Sequence, residues 1–471
     1  LRKKILFVFT VLFLIGACNE RPETDKKSSV YISDLDELRA RGKIVAVTDF
    51  NSTNYFIYKG TPMGFHYELL KSFAAFAGIS LEVISSGDIN KSVEMLNSGD
   101  ADIIAVDLSV ASGLKEMVRF TDPLGKTGQV LVQRKPNRWM AMTSEEIDRN
   151  LIKDLTGLVG KVIYVQAGSN SAFLMQGISH SMENKVTVVE VPFEAEKIIS
   201  LVAHREIDFA VCDEHMALVN AEYYPVLDIS TVLGPPADLA WAVRKEGSDM
   251  LVAELNDWIR SVKENNLLAI LYAKYYKSDR QTRIFRSDYY TLNTGKISPY
   301  DNHIKRYSEI INWDWRLLAS LIYQESGFRS DAVSFAGAHG LMQIMPATGE
   351  FLGIDITTSP ENNIKGGVLY LKHLQKIFEK KIPDENERIK FILAAYNAGT
   401  GNVLDAMRLT EKYGKNPLVW DNNVADFMLK KSDPQYYNDP VVKFGYCRGY
   451  ESVNFVSEIL ARYLEYKNFI P

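Results

Sequence analysis

From residue 31 to residue 276, short β-branched runs alternate with stretches of helical period. Residues 44–48, 81–84, 103–106, 130–132, 162–165, 186–189 and 209–211 each read as a strand. Residues 67–77 read as an amphipathic helix that Gly78 ends. This alternation predicts an α/β unit built on parallel sheet. Residues 19–29 are polar and without apolar period, as a flexible tether would be. Residues 278–298 are polar again and read as a connector, with Ile284-Phe285 as its one packed element. From residue 299 to 471 the helical period dominates.

One run in that last region carries a chemical signal. Residues 317–327 are apolar and end in Glu325-Ser326-Gly327. Trp315, Leu318, Ile322 and Glu325 are spaced 3-4-3 and so share one helical face, the face that packs inward. Burial disfavours a carboxylate there, and the negative end of the helix dipole disfavours it further. Both effects raise the pKa, as a general acid working near neutral pH requires. The alternative is a buried Glu satisfied by backbone, Arg316 or Arg329.

The whole chain has 471 residues, enough for two to four domains, with 46% hydrophobic and 24% charged residues. A net charge of −5 argues against a nucleic-acid footprint. No P-loop and no zinc-type Cys/His cluster is legible, and no metal or cofactor is expected. Arg2, Lys3 and Lys4 precede an apolar stretch over 5–15 that is too short for a stable bilayer span. Ile15-Gly16-Ala17-Cys18 resembles a bacterial lipobox. The resemblance implies a signal peptide over 1–17, lipidation of Cys18, and a protein anchored by its lipid at the periplasmic face of the outer membrane, Asn19 favouring that membrane. Cys212 and Cys447 fall in different predicted domains and read as buried small hydrophobes.

Four phrases in the first unit carry a resemblance. These are Gly64-Phe65-His66-Tyr67-Glu68-Leu69, Phe120-Thr121-Asp122-Pro123, Asp208-Phe209-Ala210-Val211-Cys212-Asp213, and residues 267–276. In this order they resemble the amino-acid-binding extracellular solute-binding proteins. The resemblance implies two α/β lobes, over residues 30–277, closing on a ligand. Asp213 stands where that family meets a ligand amine, and Ser169, opening a helix, could offer backbone N–H groups to an anion. The other reading of these two is a strand-end turn and a helix cap. Leu114 stands where the family places an arginine that clamps a carboxylate, which Leu cannot do. A free amino acid bound in the standard way is therefore not expected; the readings left open are a peptide or muropeptide, something larger, or a scaffold role.

The second unit carries another resemblance. Glu325-Ser326, then Gly340-Leu341-Met342-Gln343, then Ala394-Ala395-Tyr396-Asn397-Ala398-Gly399 follow one another in the order and spacing of soluble-lytic-transglycosylase-type, goose-lysozyme-like domains. The chain is thus expected to be multidomain: a two-lobed α/β periplasmic-binding-protein-like unit, then a mainly α lysozyme-like unit over 299–471. The resemblance implies glycan strands of peptidoglycan as substrate and Glu325 as catalytic acid. It also implies substrate contacts from Ser334, Met342, Gln343, Tyr396 and Asn397, with Met342 walling the groove. The family's fourth motif departs. Its tyrosine is replaced by Phe455 in Glu451-Ser452-Val453-Asn454-Phe455-Val456, leaving Tyr446 and Tyr450 as candidates for that hydroxyl.

Hydrolytic glycosidases use two carboxyl groups. No second acid stands at a motif position here, since Asp314 reads as a cap and Asp331 as a loop residue. A one-acid site suits lytic transglycosylation, in which the sugar's own C6 hydroxyl attacks C1 and gives a 1,6-anhydro end. A hydrolytic muramidase and a non-enzymatic ligand-delivering lipoprotein are the competing readings. A regulatory role for the first unit is a further expectation.

Overall fold

The computed structural model describes residues 35–470 apart from 111–112, 279–282, 285–286 and 288–289. Cys18, the signal peptide, the tether and Phe285 lie outside the described residues.

The first unit has two lobes. In one, strands run in the order Ser80–Ser85, Lys43–Thr48, Ile103–Ser109, Ala237–Arg244, Val118–Phe120, with Gly125–Thr127 also on Ala237–Arg244. In the other the order is Thr187–Val191, Val162–Gln166, Phe209–Asp213, Gln129–Arg134, Leu227–Val232. The strands expected from the sequence are all present. The sheets are mixed, however, not purely parallel. Ala237–Arg244 runs antiparallel to Ile103–Ser109, and Gln129–Arg134 antiparallel to Phe209–Asp213. The cause is the chain path: it leaves the first lobe at Thr127, builds the second, and returns after Val232. A strand entering from the opposite side must pair antiparallel.

Cys212 and Cys447 are both free and buried. The helix predicted over 67–77 spans Phe65–Ala77, and Gly78 caps it in the left-handed conformation. Ile284 of the connector is buried, and Tyr290 packs its ring 5.7 Å from Phe56.

The second unit is helical. Its centre is helix Trp315–Ser326, packed along the terminal helix Gly449–Phe469, where Ser320 Oγ donates to Ile459 O at 2.7 Å. Leu318 and Ile322 are fully buried, as their shared face predicts. Helices Pro360–Glu379 and Glu385–Ala398 complete the core. Among the described residues no helix is long and apolar enough to cross a membrane.

The two units share one apolar core. The hairpin formed by Phe56–Tyr58 and Thr61–Met63 reaches from the first lobe to the back of helix Trp315–Ser326. There the Thr61 and Tyr323 hydroxyls lie 2.8 Å apart, and Tyr466 OH donates to Gly60 O at 2.7 Å. Phe469 closes the seam with its ring 3.9 Å from that of Phe50.

Candidate active site

Asp314 caps the start of helix Trp315–Ser326, accepting from Arg316 N, and Gly327 ends it in the left-handed conformation. Glu325 therefore sits in the last turn, half-buried, just before the chain turns away at Gly327. Its carboxyl is largely desolvated, and this burial alone pushes its pKa up to about 8. Neither arginine considered from the sequence reaches it. Arg316 is taken by Asp314, and Arg329 Nε donates to Ser326 O at 3.0 Å. Asp314 lies at the far end of the helix and Asp331 is exposed on the following loop. Among the described residues no second carboxylate perturbs Glu325.

The loop 332–344 is tied to the neighbourhood of Glu325 through Tyr396. His339 and Ile344 exchange backbone hydrogen bonds at 3.0 and 3.1 Å and close the Gly340–Gln343 turn. Gly340 takes φ +74° there, and a side chain at this position would collide with Asn363. Asn363 is buried and holds the turn from below. Its Oδ1 accepts from Met342 N at 2.8 Å, while its Nδ2 donates to His339 O at 2.9 Å and Ile356 O at 3.1 Å. Tyr396 holds the turn from the other side, its hydroxyl donating to Met342 O at 2.7 Å. Burial raises the Tyr396 pKa well above the ordinary value, and the neighbouring Glu325 carboxyl adds to the rise. Met342 is thereby clamped through both backbone groups.

The structure brings Glu325, Met342 and Tyr396 together, with two changes of role. Met342 is fully enclosed rather than a wall of the open groove. Gly367 on the next helix makes room for it, since a Cβ there would lie 2.2 Å from Met342 Sδ. Gln343, at φ +47°, spends its Nε2 on Gly340 O at 2.8 Å and Ala332 O at 3.1 Å, which leaves Oε1 to meet a donor. Ser334 Oγ accepts from Ala338 N at 2.9 Å and pins its own turn, with the hydroxyl proton still available. Exposed Asn397 accepts at Oδ1 from Ser452 Oγ at 2.6 Å. Phe455 is buried in the terminal helix, while Tyr446 and Tyr450 are more than half exposed. Sequence reading missed Asn363 and Ser452. Ser452 was legible, because it lies inside the fourth-motif phrase Glu451-Ser452-Val453-Asn454-Phe455-Val456; Asn363 carried no chemical signal of its own.

In the first unit, Asp213 and Ser169 do line one cleft between the lobes, together with Asp49 and Asn170. Its free volume is only about 40 Å³, room for water and little else. Ser169 also caps helix Asn170–Ser181, accepting from Ala172 N at 3.2 Å. Asp213 accepts from Gln129, and burial pushes its pKa up to about 6. Leu114 is buried. Across the lobes, Asp107 lies 3.0 Å from His215 Nε2 and 3.2 Å from His66 Nε2. The His66 tautomer follows from Trp241, whose Nε1 donates to His66 Nδ1 at 3.0 Å.

A helical domain with a desolvated acid at the end of its central helix, joined to a two-lobed α/β module, defines the class. A family model described as Transglycosylase SLT domain matches residues 302–419, and one described as Bacterial extracellular solute-binding proteins, family 3 matches residues 43–278. The chain is a lytic transglycosylase with a solute-binding module. A protein of Desulfosudis oleivorans named membrane-bound lytic murein transglycosylase F is 31% identical over 433 residues, which cover 92% of this chain and 91% of that one. One of Pseudomonas fluorescens with the same name is 29% identical over 470 residues, covering 98% and 90%. The chain belongs to the membrane-bound lytic murein transglycosylase F family.

Proposed function

We propose that the chain cleaves the MurNAc-β-1,4-GlcNAc bond of peptidoglycan and leaves a 1,6-anhydro-MurNAc end. The observation that carries this reading is the placement of Glu325: its half-buried carboxyl stands in the last turn of its helix beside Tyr396, burial pushes its pKa up to about 8, and among the described residues no second carboxylate acts on it. Glu325 donates its proton to the glycosidic oxygen as the bond to the muramic C1 breaks. The resulting carboxylate sits beside an oxocarbenium-like centre. It then takes the proton of the same sugar's C6 hydroxyl, whose oxygen attacks C1 and closes the anhydro ring. The tethered nucleophile needs no water and no second acid. Gln343 Oε1 and Asn397 orient the sugar, Ser334 donates to its N-acetyl region, and Tyr446 or Tyr450 supplies the fourth-motif hydroxyl.

Mass spectrometry of sugars released from purified peptidoglycan tests this, with the form lacking residues 1–18 beside Glu325→Gln. Anhydro ends from the wild type alone are expected. Reducing ends instead would mean a muramidase, and release by Glu325→Gln would remove Glu325 from the mechanism.

The remaining organisation follows the same reading. Residues 1–17 are a lipoprotein signal, 18–29 a tether, 30–277 the binding unit, 278–298 a connector and 299–471 the enzyme. Cys18 carries the lipid that holds the enzyme at the periplasmic face of the outer membrane. Metabolic labelling with a fatty acid, lost in Cys18→Ser, checks this. The binding unit regulates the enzyme through a peptide or muropeptide met by Asp213 and Ser169, which requires the lobes to part, since the cleft has only about 40 Å³ free. If such peptides leave the full chain's cleavage rate unchanged, that role fails.

A further inference from the structure

The binding unit carries an apolar recess besides the cleft between its lobes. It is a trough of about 440 Å³ beside the hinge, walled by helix Leu267–Tyr276 and strand Gly125–Thr127. That volume falls in the range of about 300–1,000 Å³ usual for small-molecule sites. The interlobe cleft, which holds Asp213 and Ser169, has less than a tenth of that room.

The lining has three parts. Phe65, Tyr272 and Tyr276 form an aromatic corner, with ring centroids 4.8 Å apart for the two tyrosines and 5.3 Å for Phe65 and Tyr276. Leu124, Leu239 and Leu268 supply an aliphatic side. Lys126, Lys263 and Lys277 stand at the mouth. Lys263 donates to Pro123 O at 2.6 Å, a neutral partner, and Lys277 lies 5.5 Å from the centre of the Tyr272 ring. Among the described residues Lys126 alone of the three forms an ion pair, with Asp238 at 3.2 Å. The one carboxylate in the lining, Asp107, is engaged by His215 and His66. The mouth is therefore net positive over an aromatic interior, so the occupant it favours is negative at one end and flat and apolar at the other.

We propose that this trough is a second ligand site, adjoining the interlobe cleft at Asp107 but not holding Asp213 or Ser169, for a small planar apolar body bearing one carboxylate. Such a ligand stacks on Tyr272 and Tyr276 and sets its carboxylate toward Lys263 and Lys277. It spans the hinge, since His215 belongs to one lobe and the aromatic corner to the other. This inference does not depend on how the enzyme cleaves glycan.

Isothermal titration of the chain from residue 19 with indole-3-acetate, and with neutral indole-3-acetamide, is the test. Saturable one-to-one binding of the acetate is expected, with the amide weaker by about tenfold, the worth of one charged contact. Lys263→Glu with Lys277→Glu should lower acetate affinity by at least about tenfold. Ala273→Trp should fill the trough and abolish binding while leaving glycan cleavage unchanged; Ala269→Trp serves if the first variant melts early. Asp213→Asn, in the cleft, should bind as the wild type does. Absence of saturable binding at millimolar acetate overturns the proposal. So does equal affinity for the amide, or binding that survives both tryptophan variants.

Discussion

Glu325→Gln should separate the chemistry of the acid from the cost of keeping it. In the folded chain the carboxyl has a pKa near 8, against 4.5 for an exposed Glu. Between those values the folded state keeps the proton and the unfolded state releases it. The unfolded state is therefore favoured progressively as pH rises through this window, and the loss is complete once pH passes about 8. Each unit is worth about 1.4 kcal/mol, so the full shift sets a ceiling near 5 kcal/mol. The carboxyl borders the groove and is partly open to water, which reduces the expected cost to about 2–4 kcal/mol. Gln carries no such proton. Calorimetric melts of wild type and Glu325→Gln should nearly coincide at pH 5. At pH 9 the variant should melt higher, by on the order of 5–15 °C for a domain of this size. The same carboxyl sets the alkaline limb of kcat/KM, which should fall above pH 8 because the acid form is the competent one. A difference in melting temperature that is the same at pH 5 and pH 9 would refute the desolvation argument, whatever the variant does to activity.

Three further substitutions probe the frame around that acid. Asn363→Ala removes the hydrogen bonds to Met342 N, His339 O and Ile356 O. Initial rates on purified peptidoglycan should fall by about tenfold or more, with about 2–3 kcal/mol lost in denaturant unfolding; a rate within twofold of wild type means the turn holds without it. Gly367→Ala drives a methyl into Met342 Sδ and should cost about 1–3 kcal/mol by the same unfolding measurement. Ser452→Ala frees Asn397 from its one clamp. About a fivefold fall in kcat is expected, the worth of one hydrogen bond, with a melting temperature close to wild type. A large melting shift would make Ser452 a packing residue instead.

Much of this frame is legible in the sequence where period and chemistry coincide. The 3-4-3 spacing of Trp315, Leu318, Ile322 and Glu325 gives the helix, its buried face and the acid's place in its last turn. The parallel strands are legible for the same reason, because strands buried on both faces read as continuous apolar runs. What escapes is set by tertiary partners. The strands Val118–Phe120 and Gly125–Thr127 are too short to show a period, and the antiparallel return of Ala237–Arg244 depends on the hinge crossing. Met342 reads as a groove wall by motif, but the space left by Gly367 from a distant helix encloses it. Asn363 reads as one polar residue early in a helix. Its role appears only once the Gly340–Gln343 turn lies above it.

The acid and the seam between the units are held by one element. Tyr323 and Glu325 are two residues apart, which on a helix turns their side chains about 200° from each other. Tyr323 therefore faces the hairpin of the first lobe, hydroxyl to hydroxyl with Thr61, while Glu325 faces the groove. The terminal helix Gly449–Phe469 is shared in the same way. Ser452 in its first turn reaches Asn397 of the site, and Tyr466 and Phe469 near its end reach the hairpin and Phe50. Packed interiors are dense and shift as bodies rather than deform smoothly. A displacement of the hairpin must therefore either break these seam contacts or carry the helix that positions Glu325 with it. Thr61→Val, which removes only the hydroxyl contact to Tyr323, distinguishes the two. If the helix is held independently by its own domain, cleavage rates and the pH at which they fall stay as in wild type; if the seam helps to place the acid, the alkaline limb moves while the melting temperature barely changes.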